Sequence, residues 1–570
     1  MWGYQPHFRK EMESRSRKAL EALGTDISVK AFLVGVRLPE VSKDHPVCIE
    51  PEDGEWDILT FKDVHKRAGE IFTTHPDQNI FYSNDDQSML EKPENIRRKS
   101  VREAIEEVLS RTDSERKTHS FCGVPVRLGN FHVVPIVQVA QSDLDAFPRL
   151  INSIQFQMYN STTGIVQALI SCLLTEASEA LKTKEPGRFF STFDSDLSGL
   201  LRKAGQTLCN AIPLALKDFM LGEVFENLNK ISELRYEGGE TLGTIVFAPP
   251  NLLSLNYDSV FLQPIPLDTH RLVRKVVEIS DDKLCCICQG DKGIVGFGSL
   301  PDFGDTFVFR AVFTGHYRWA LYVNDTLLMN CAFGVPSVPQ PRLTEKVFFS
   351  NIQRILPGLT LNQGEALWSA VSAAMDQRHG TMLVVSDAAS NEAQRLSSQA
   401  IAIEPIKLKS ALVARISGID GAILVDRDCN CHAIGVILDG IATNEGDPSR
   451  GARYNSALRY IRSCQSPAVC LVVSEDGYVN MVPTLQPQIR KQDVKYHVEL
   501  LKSLTSDKYH KTRSWLDDRR FYLTSEQCNV VNTELSRIQA EPFDVGELRI
   551  STPVFKPHPD MNESYYLDES

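Results

Sequence analysis

Apolar strand-length runs alternating with helical stretches predict a chain of α/β and α+β domains. In that expectation a C-terminal domain with a central mixed sheet flanked by helices follows α+β segments. Three observations carry it. Short apolar runs bounded by turn residues recur along the chain, residues 146–232 space their apolar side chains at three and four, and the proline-rich GVPSVPQPRL separates two stretches of different texture. With 570 residues there is room for several buried cores.

Residues 1–145 mix the strand-like VKAFLVGVRLP and FHVVPIVQVA with a helix, SVREAIEEVLSRT, and contain no catalytic constellation. Residues 146–345 begin with the helices TGIVQALISCLLTEASEALKT and DSDLSGLLRKAGQTLCNAI, with Asp194 or Ser198 near the second helix start. They continue as β-rich runs, TLGTIVFAPP, KLCCICQ, GIVGFGS, TFVFRAVFTG and WALYVNDTLLMNCAFG, broken by Gly, Pro and Asn-Asp turns. The aromatic-rich 305–325 reads as sheet core, because aromatic residues suit strands. Pro336, Pro339 and Pro341 mark a linker, since proline lacks an amide donor and stiffens the chain. A further domain, residues 346–500, holds the helix EALWSAVSAAMDQRHG, the strand TMLVVSD, and two apolar strands joined at Asp426–Asn430. A helix through Ser463 and the strand AVCLVVSED follow. Residues 501–570 read as helices that cap this domain or join chains, ending in an acidic tail expected to be disordered.

The net charge of −12 and pI near 5.6 argue against a broadly basic nucleic-acid surface, so no DNA partner is expected. The start, MWGYQPHFRKEMESRSRK, has no apolar core and is not a secretory signal. The most apolar helical stretch, GIVQALISCLLTEA, is shorter than the roughly 20 residues a bilayer span needs. These features lead us to expect a cytoplasmic protein without a membrane partner. Cys285, Cys286 and Cys288, and Cys429 and Cys431, lack C-x-x-C spacing and read as packing residues.

Polar stations interrupt the apolar strands of 346–500 at Asp420 in IDGA, at SRGARYNSA, and at Ser474-Glu475-Asp476 after CLVV. Loops at the strand ends of a sheet covered on both faces are where ligands bind. Taken singly, the first and third stations are ordinary turns and the second an ordinary helix start. In the second, however, Gly451 and Ala452 allow close approach to the backbone, free helix N-terminal amides favour phosphate, and Arg450 and Arg453 add charge-assisted bonds.

The ordered set IDGA, GARYNSA and VVSED resembles the diadenylate cyclase domain, the DisA-type nucleotide-binding family, whose members show DGA, a Gly-Thr-Arg-His-Arg-(Ser/Thr)-Ala motif and a strand ending in Ser-Glu-Glu. GTMLVVSD and IEPIKLKSALVARISG also resemble the family's upstream segments, so that the likeness spans residues 360–490. It implies condensation of two ATP to cyclic di-AMP and two pyrophosphates, with Mg2+ or Mn2+, by cyclase domains of a homo-oligomer meeting face to face. Carried over, Asp420 binds the metal and assists the 3'-hydroxyl, Gly421 and Ala422 shape the turn, and Gly451, Ala452, Arg453, Tyr454, Asn455 and Ser456 lie along the triphosphate. Ser474, Glu475 and Asp476 form the acidic station, with Asp476 a metal ligand, and the base is read partly by backbone around Ile437 and Leu438.

Where the family has Arg-His-Arg, this chain has Arg453-Tyr454-Asn455, and Asp476 stands where Glu is usual. One permanent cation is gone, and Arg450 is the preferred substitute. Three readings stay open: an active diadenylate cyclase, a degenerate domain that binds ATP or cyclic di-AMP and senses it, or a cyclase using another nucleotide. Upstream, ELRYEGGETLGTIVFAPP and HRLVRKVVEISDDKL resemble sensor domains that precede cyclase domains in bacterial multidomain proteins, implying an unidentified small-molecule or protein signal. An α+β scaffold that only dimerises the chain is the alternative.

Overall fold

The computed structural model describes the chain except residues 43–44, 53–55, 57, 81–85, 151–163, 189–192, 194–195, 217–221, 236–238, 250–254, 282, 300–307, 340–342, 378–379, 441–451, 475–477, 507, 541–552 and 568–570. It divides into two compact units, Met1–Pro339 and Gln340–Ser570. Among the described residues no helix is long and apolar enough to cross a membrane.

In the first unit, β1 (Val29–Arg37), β2 (Val47–Glu50), β3 (Thr118–Cys122), β4 (Val126–Leu128) and β5 (Phe131–Ala140) form a sheet ordered β2-β1-β5-β3, with β4 also on β5. Every pairing is antiparallel. The apolar run of β1 is continuous because both faces are covered. Phe32, Val34 and Val36 pack with Val64 of α2 (Val64–Thr74) and Ile105 of α3 (Asp86–Arg116). Ala31 and Leu33 pack with Phe8 of α1 (Gln5–Leu23) and, beyond the short α4 (Gln141–Asp145), with Leu169 of α5 (Ile165–Leu181).

The same core runs on to a second sheet of eight strands. These are β6 (Leu242–Phe247), β7 (Asn256–Ile265), β8 (Cys285–Gln289), β9 (Gly293–Ser299), β10 (Phe309–Gly315), β11 (Arg318–Val323), β12 (Thr326–Ala332) and β13 (Val335–Ser337). Their order is β13-β12-β11-β10-β6-β8-β9-β7, with β6 and β8 parallel. Phe309, Phe313 and Trp319 of the aromatic stretch are sheet core, and the Trp319 indole N–H donates to Asn229 Oδ1 at 2.8 Å. Among the described residues, four helices accompany this sheet: α6 (Leu197–Cys209), α7 (Ala211–Leu216), α8 (Val224–Glu233) and α9 (His270–Val277). The start of α6 falls where the sequence places it, with Ser198 near it, and its cap is a residue the sequence reading did not name. Asp196 is its N-cap, accepting from Gly199 N–H at 2.9 Å, while Ser198 sits inside the first turn and Asp194 lies outside the described residues.

The second unit centres on a six-stranded sheet ordered β15-β17-β16-β14-β18-β19, built from β14 (Thr381–Ser386), β15 (Ile401–Lys407), β16 (Ala422–Val425), β17 (Asn430–Val436), β18 (Ala468–Val473) and β19 (Val479–Val482). It is the expected mixed sheet: β14 runs parallel to β16 and antiparallel to β18. Leu383, Val385, Ile423, Val425, Val469 and Leu471 pack on one face against α10 (Glu345–Ile355) and α11 (Leu361–Met375). Met382, Val384, Leu424, Cys470 and Val472 pack on the other, against α12 (Ala389–Arg395) and, past α13 (Ser410–Ile416), against α14 (Ala452–Ser463). This two-sided period of two leaves β14, β16 and β18 without an exposed residue.

Gly421, entering β16, has φ 105°, and a Cβ there would lie 2.6 Å from the Gly435 carbonyl carbon and 2.9 Å from Val436 N. Only glycine lets this turn press on β17. Gly435 answers it with φ 61°.

The C-terminal helices α15 (Lys491–Leu501), α16 (His510–Asp517) and α17 (Ser525–Gln539) bury Val494, Leu516 and Val531 in their own core. Of the acidic tail, expected to be disordered, the described residues through Leu567 fold onto them. Tyr565 and Tyr566 are buried, the Tyr566 hydroxyl donates to Tyr522 O at 2.7 Å, and Arg354 of α10 stacks 4.7 Å from the Tyr565 ring. Two aromatic side chains outweigh the polar residues around them, because each buries a large apolar area.

Tyr566→Ala should therefore cost about 3 kcal/mol, read as faster hydrogen exchange of the α17 amides and a lower urea midpoint. Gly421→Ala should cost about 2 to 3 kcal/mol from forcing a side chain into positive φ. Its check is a lowered urea midpoint that Ala→Gly reversion restores.

Candidate functional site

The sheet register brings the polar stations of the second unit to one end. Ala422 pairs with Val436 and Met382, Met382 also pairs with Val472, and Thr381 pairs with Val473. The Asp420-Gly421 turn, the segment after β17, and Ser474 after β18 thus share an edge. It is the N-terminal end of the parallel pair β14 and β16 and the C-terminal end of β17 and β18. Two strand spacings, about 10 Å, separate Ser474 from the turn.

Asp420 is fully in solvent, its side chain 99% exposed, and its Oδ1 accepts from Gly421 N–H at 3.0 Å. Arg453, the second residue of α14, reaches it with Nη2 at 3.6 Å. The Arg453 Nε is buried and has no hydrogen-bond partner among the described residues. Arg453, Ala457 and Tyr460 fall at i, i+4 and i+7 on one stripe of the helix, and Ala457 and Tyr460 are its buried anchors. Tyr454, Asn455 and Ser456 are half-buried and Ala452 is exposed. Ser474 is half-buried, its amide donating to Tyr478 O at 2.8 Å and its Oγ accepting from Tyr478 N–H at 3.1 Å. Leu438 packs half-buried beside the same core as Tyr454 and Leu458, and its neighbour Ile437 is exposed. Arg450, Gly451, Glu475 and Asp476 lie outside the described residues.

Several residues at this end escaped sequence reasoning. Arg395 of α12 binds both carboxylate oxygens of Asp439, and it also binds Glu392, whose Oε2 accepts from the Tyr460 hydroxyl at 2.9 Å. Hydrogen bonds from Arg395 hold the Glu392 and Asp439 carboxyls below the usual range, and burial pushes the Tyr460 hydroxyl far up. Glu392 and Arg395 are legible as an i, i+3 pair, but nothing linear connects them to Asp439.

For a divalent cation the described donor set is sparse: among the described residues no group of three His, Cys, Asp or Glu could hold one. Asp420 still fits a cation bound mainly by phosphate oxygens, because Mg2+ commonly takes only one or two carboxylates beside substrate phosphates. The cysteines singled out from sequence are buried, with burial pushing the Cys429 and Cys431 thiols up to about 11 and Cys286 to about 12.

Residues 368–484 match the family model described as DisA bacterial checkpoint controller nucleotide-binding, DAC. Residues 1–209 match the probable sensor domain DACNG, and residues 222–325 the probable sensor domain DACNH. No curated protein matches the chain. Among solved structures, it is similar to a double mutant of DacA from Staphylococcus aureus, at 19% identity over 20% of this chain and 78% of that one, with a TM-score of 0.18. A second, a hypothetical membrane spanning protein from Bacillus cereus, is 26% identical over 23% of this chain and 64% of that one, also with a TM-score of 0.18. The C-terminal unit therefore carries a DAC domain of the DisA nucleotide-binding type, and two probable sensor domains, DACNG and DACNH, precede it in the chain.

Proposed function

We propose that the C-terminal domain is a diadenylate cyclase that condenses two ATP into cyclic di-AMP with release of two pyrophosphates. The observation that carries the reading is the meeting of the Asp420-Gly421 turn and the Arg453 end of α14, 3.6 Å apart, inside a DAC-type domain. We read residues 346–500 as the cyclase segment, 501–570 as its helical cap, 1–145 and 146–345 as regions that receive a signal, and the cytosol, which supplies ATP, as its compartment.

The chemistry asks for a nucleophile held in line, charge neutralised at the phosphates, and a leaving pyrophosphate. Asp420, with one carboxylate oxygen free of the Gly421 amide, can take the proton of a 3'-hydroxyl and offers its charge to Mg2+ or Mn2+. Such a cation supplies neutralisation of phosphate charge. Arg453 points its guanidinium at the same turn, where it binds the triphosphate, and the half-buried Ser456 one turn on adds a hydroxyl. Leu438 offers an apolar contact and its backbone to the base. Ser474, bonded to Tyr478, precedes Glu475 and Asp476, the proposed acidic partners. One such site carries one ATP, so the ring closes only when a second copy presents its own nucleotide face to face.

A second reading is favoured by Arg453-Tyr454-Asn455. With one cation where the family has two, the domain can bind ATP or cyclic di-AMP and report it without turnover. Incubating the full chain with ATP and either Mg2+ or Mn2+, then identifying products by mass spectrometry, separates the two. Cyclic di-AMP supports the cyclase; nucleotide binding without product supports the sensor.

Asp420→Asn should lower product formation by about a hundredfold or more, with an unchanged melting temperature because the side chain is solvent-exposed. Normal turnover in that variant would remove Asp420 from the chemistry. Asn455→Arg should tighten ATP binding by about tenfold, the worth of one charge-assisted hydrogen bond, measured by calorimetric titration.

A further inference from the structure

Three elements on the α14 face of the C-terminal sheet close into a ring. Arg395, at the end of α12, spends Nη1 and Nη2 on Asp439, the latter at 2.9 Å. Its Nε and Nη2 also donate to Glu392 at 3.0 and 2.7 Å. Glu392 in turn accepts from the hydroxyl of Tyr460, a residue of α14 that is 1% exposed. The third side is backbone contact. A Cβ on Gly440, next to Asp439, would sit 2.6 Å from the carbonyl carbon of Arg459, beside Tyr460. The ring therefore runs from α12 through Asp439 and Gly440 to α14 and back through Tyr460 and Glu392.

Its members flank the proposed nucleotide contacts. Asp439 directly follows Leu438, and Tyr460 lies on the Arg453 stripe two turns along α14, about 10 Å away at 1.5 Å per residue. We infer that Arg395 is a positioning residue, tying the Leu438 segment and the Arg453 helix to α12 so that base-side and phosphate-side contacts are held as one body. Arg395 touches no proposed ligand atom. It acts through its four hydrogen bonds, which planar guanidinium geometry allows and a lysine ammonium does not reproduce. The inference rests on the nucleotide reading of this site.

The test uses the full chain with Arg395→Ala and Arg395→Lys, ATP titrated calorimetrically, and hydrogen exchange followed over residues 437–440 and 453–460. Arg395→Ala should weaken ATP binding by about tenfold through misplacement, and Arg395→Lys should give an intermediate loss. The melting temperature should move little, since the side chains of Arg395 and Asp439 are 46% and 44% exposed. Both peptide regions should exchange faster together in Arg395→Ala. Equal ATP affinity in wild type and Arg395→Ala, or faster exchange in only one region, overturns the ring. A wild type that binds no ATP instead overturns the nucleotide reading, while coupled exchange of the two regions would still establish the ring.

Discussion

Two-sided burial of the C-terminal sheet is the constraint on which the site depends. Every residue of β14, β16 and β18 is covered, because helices lie on both faces. A buried, unpaired charge would cost far more than these strands can supply, so their interiors are almost wholly apolar and chemistry is confined to their ends. At one end the chain places Asp420, Arg453 and Ser474; at the other, Arg427 pairs bidentately with Asp387, and Asp426 binds Asn430 and His432. At the second end these side chains are hydrogen-bonded to one another. The first holds an aspartate in open water and an arginine nitrogen without a partner among the described residues.

That difference separates a site from a scaffold. A solvent-exposed ion pair at 3.6 Å is worth little, since water screens it and two long side chains lose freedom to hold it. Asp420 and Arg453 can therefore exchange one another for a cation and a phosphate at small cost. The Arg395 network has no such freedom. Four of its five N–H donors are committed to two carboxylates, and Glu392 is also bound to a buried tyrosine.

Much of this was legible in the sequence, for identifiable reasons. Strands such as TMLVVS and AVCLVV are continuous apolar runs, and covered sheets write that pattern directly into the chain. Helix α14 was legible because Arg453, Ala457 and Tyr460 keep helical spacing. Gly421 showed in sequence only as part of a turn, whereas its real constraint is the backbone of Gly435 on a neighbouring strand. The Asp196 cap was missed because several polar residues competed for one role within a few positions. The tail was misjudged because composition averaged two buried tyrosines with their acidic neighbours. The Arg395–Asp439 bridge joins residues 44 apart, and no periodicity encodes such a pairing.

The altered motif can be weighed by where its residues fall on α14. Successive residues turn by about 100° around a helix, so Asn455 points well away from the Arg453 stripe. A cation at 455 would meet a triphosphate from another side; among the described residues of the motif, Arg453 is on the opposite face and Asn455 carries no charge. The whole chain carries a net charge of −12, which opposes the approach of a polyanion. With Asp420 cancelling much of the charge of Arg453, the described site offers little net attraction of its own. On the proposed reading a nucleotide brings its phosphate charge already partly neutralised by a divalent cation, and affinity should fall steeply when that cation is withheld. A domain using two arginines would be less sensitive, so dependence of binding on the divalent cation, independent of any turnover, is the physical signature that the Arg-Tyr-Asn substitution leaves behind.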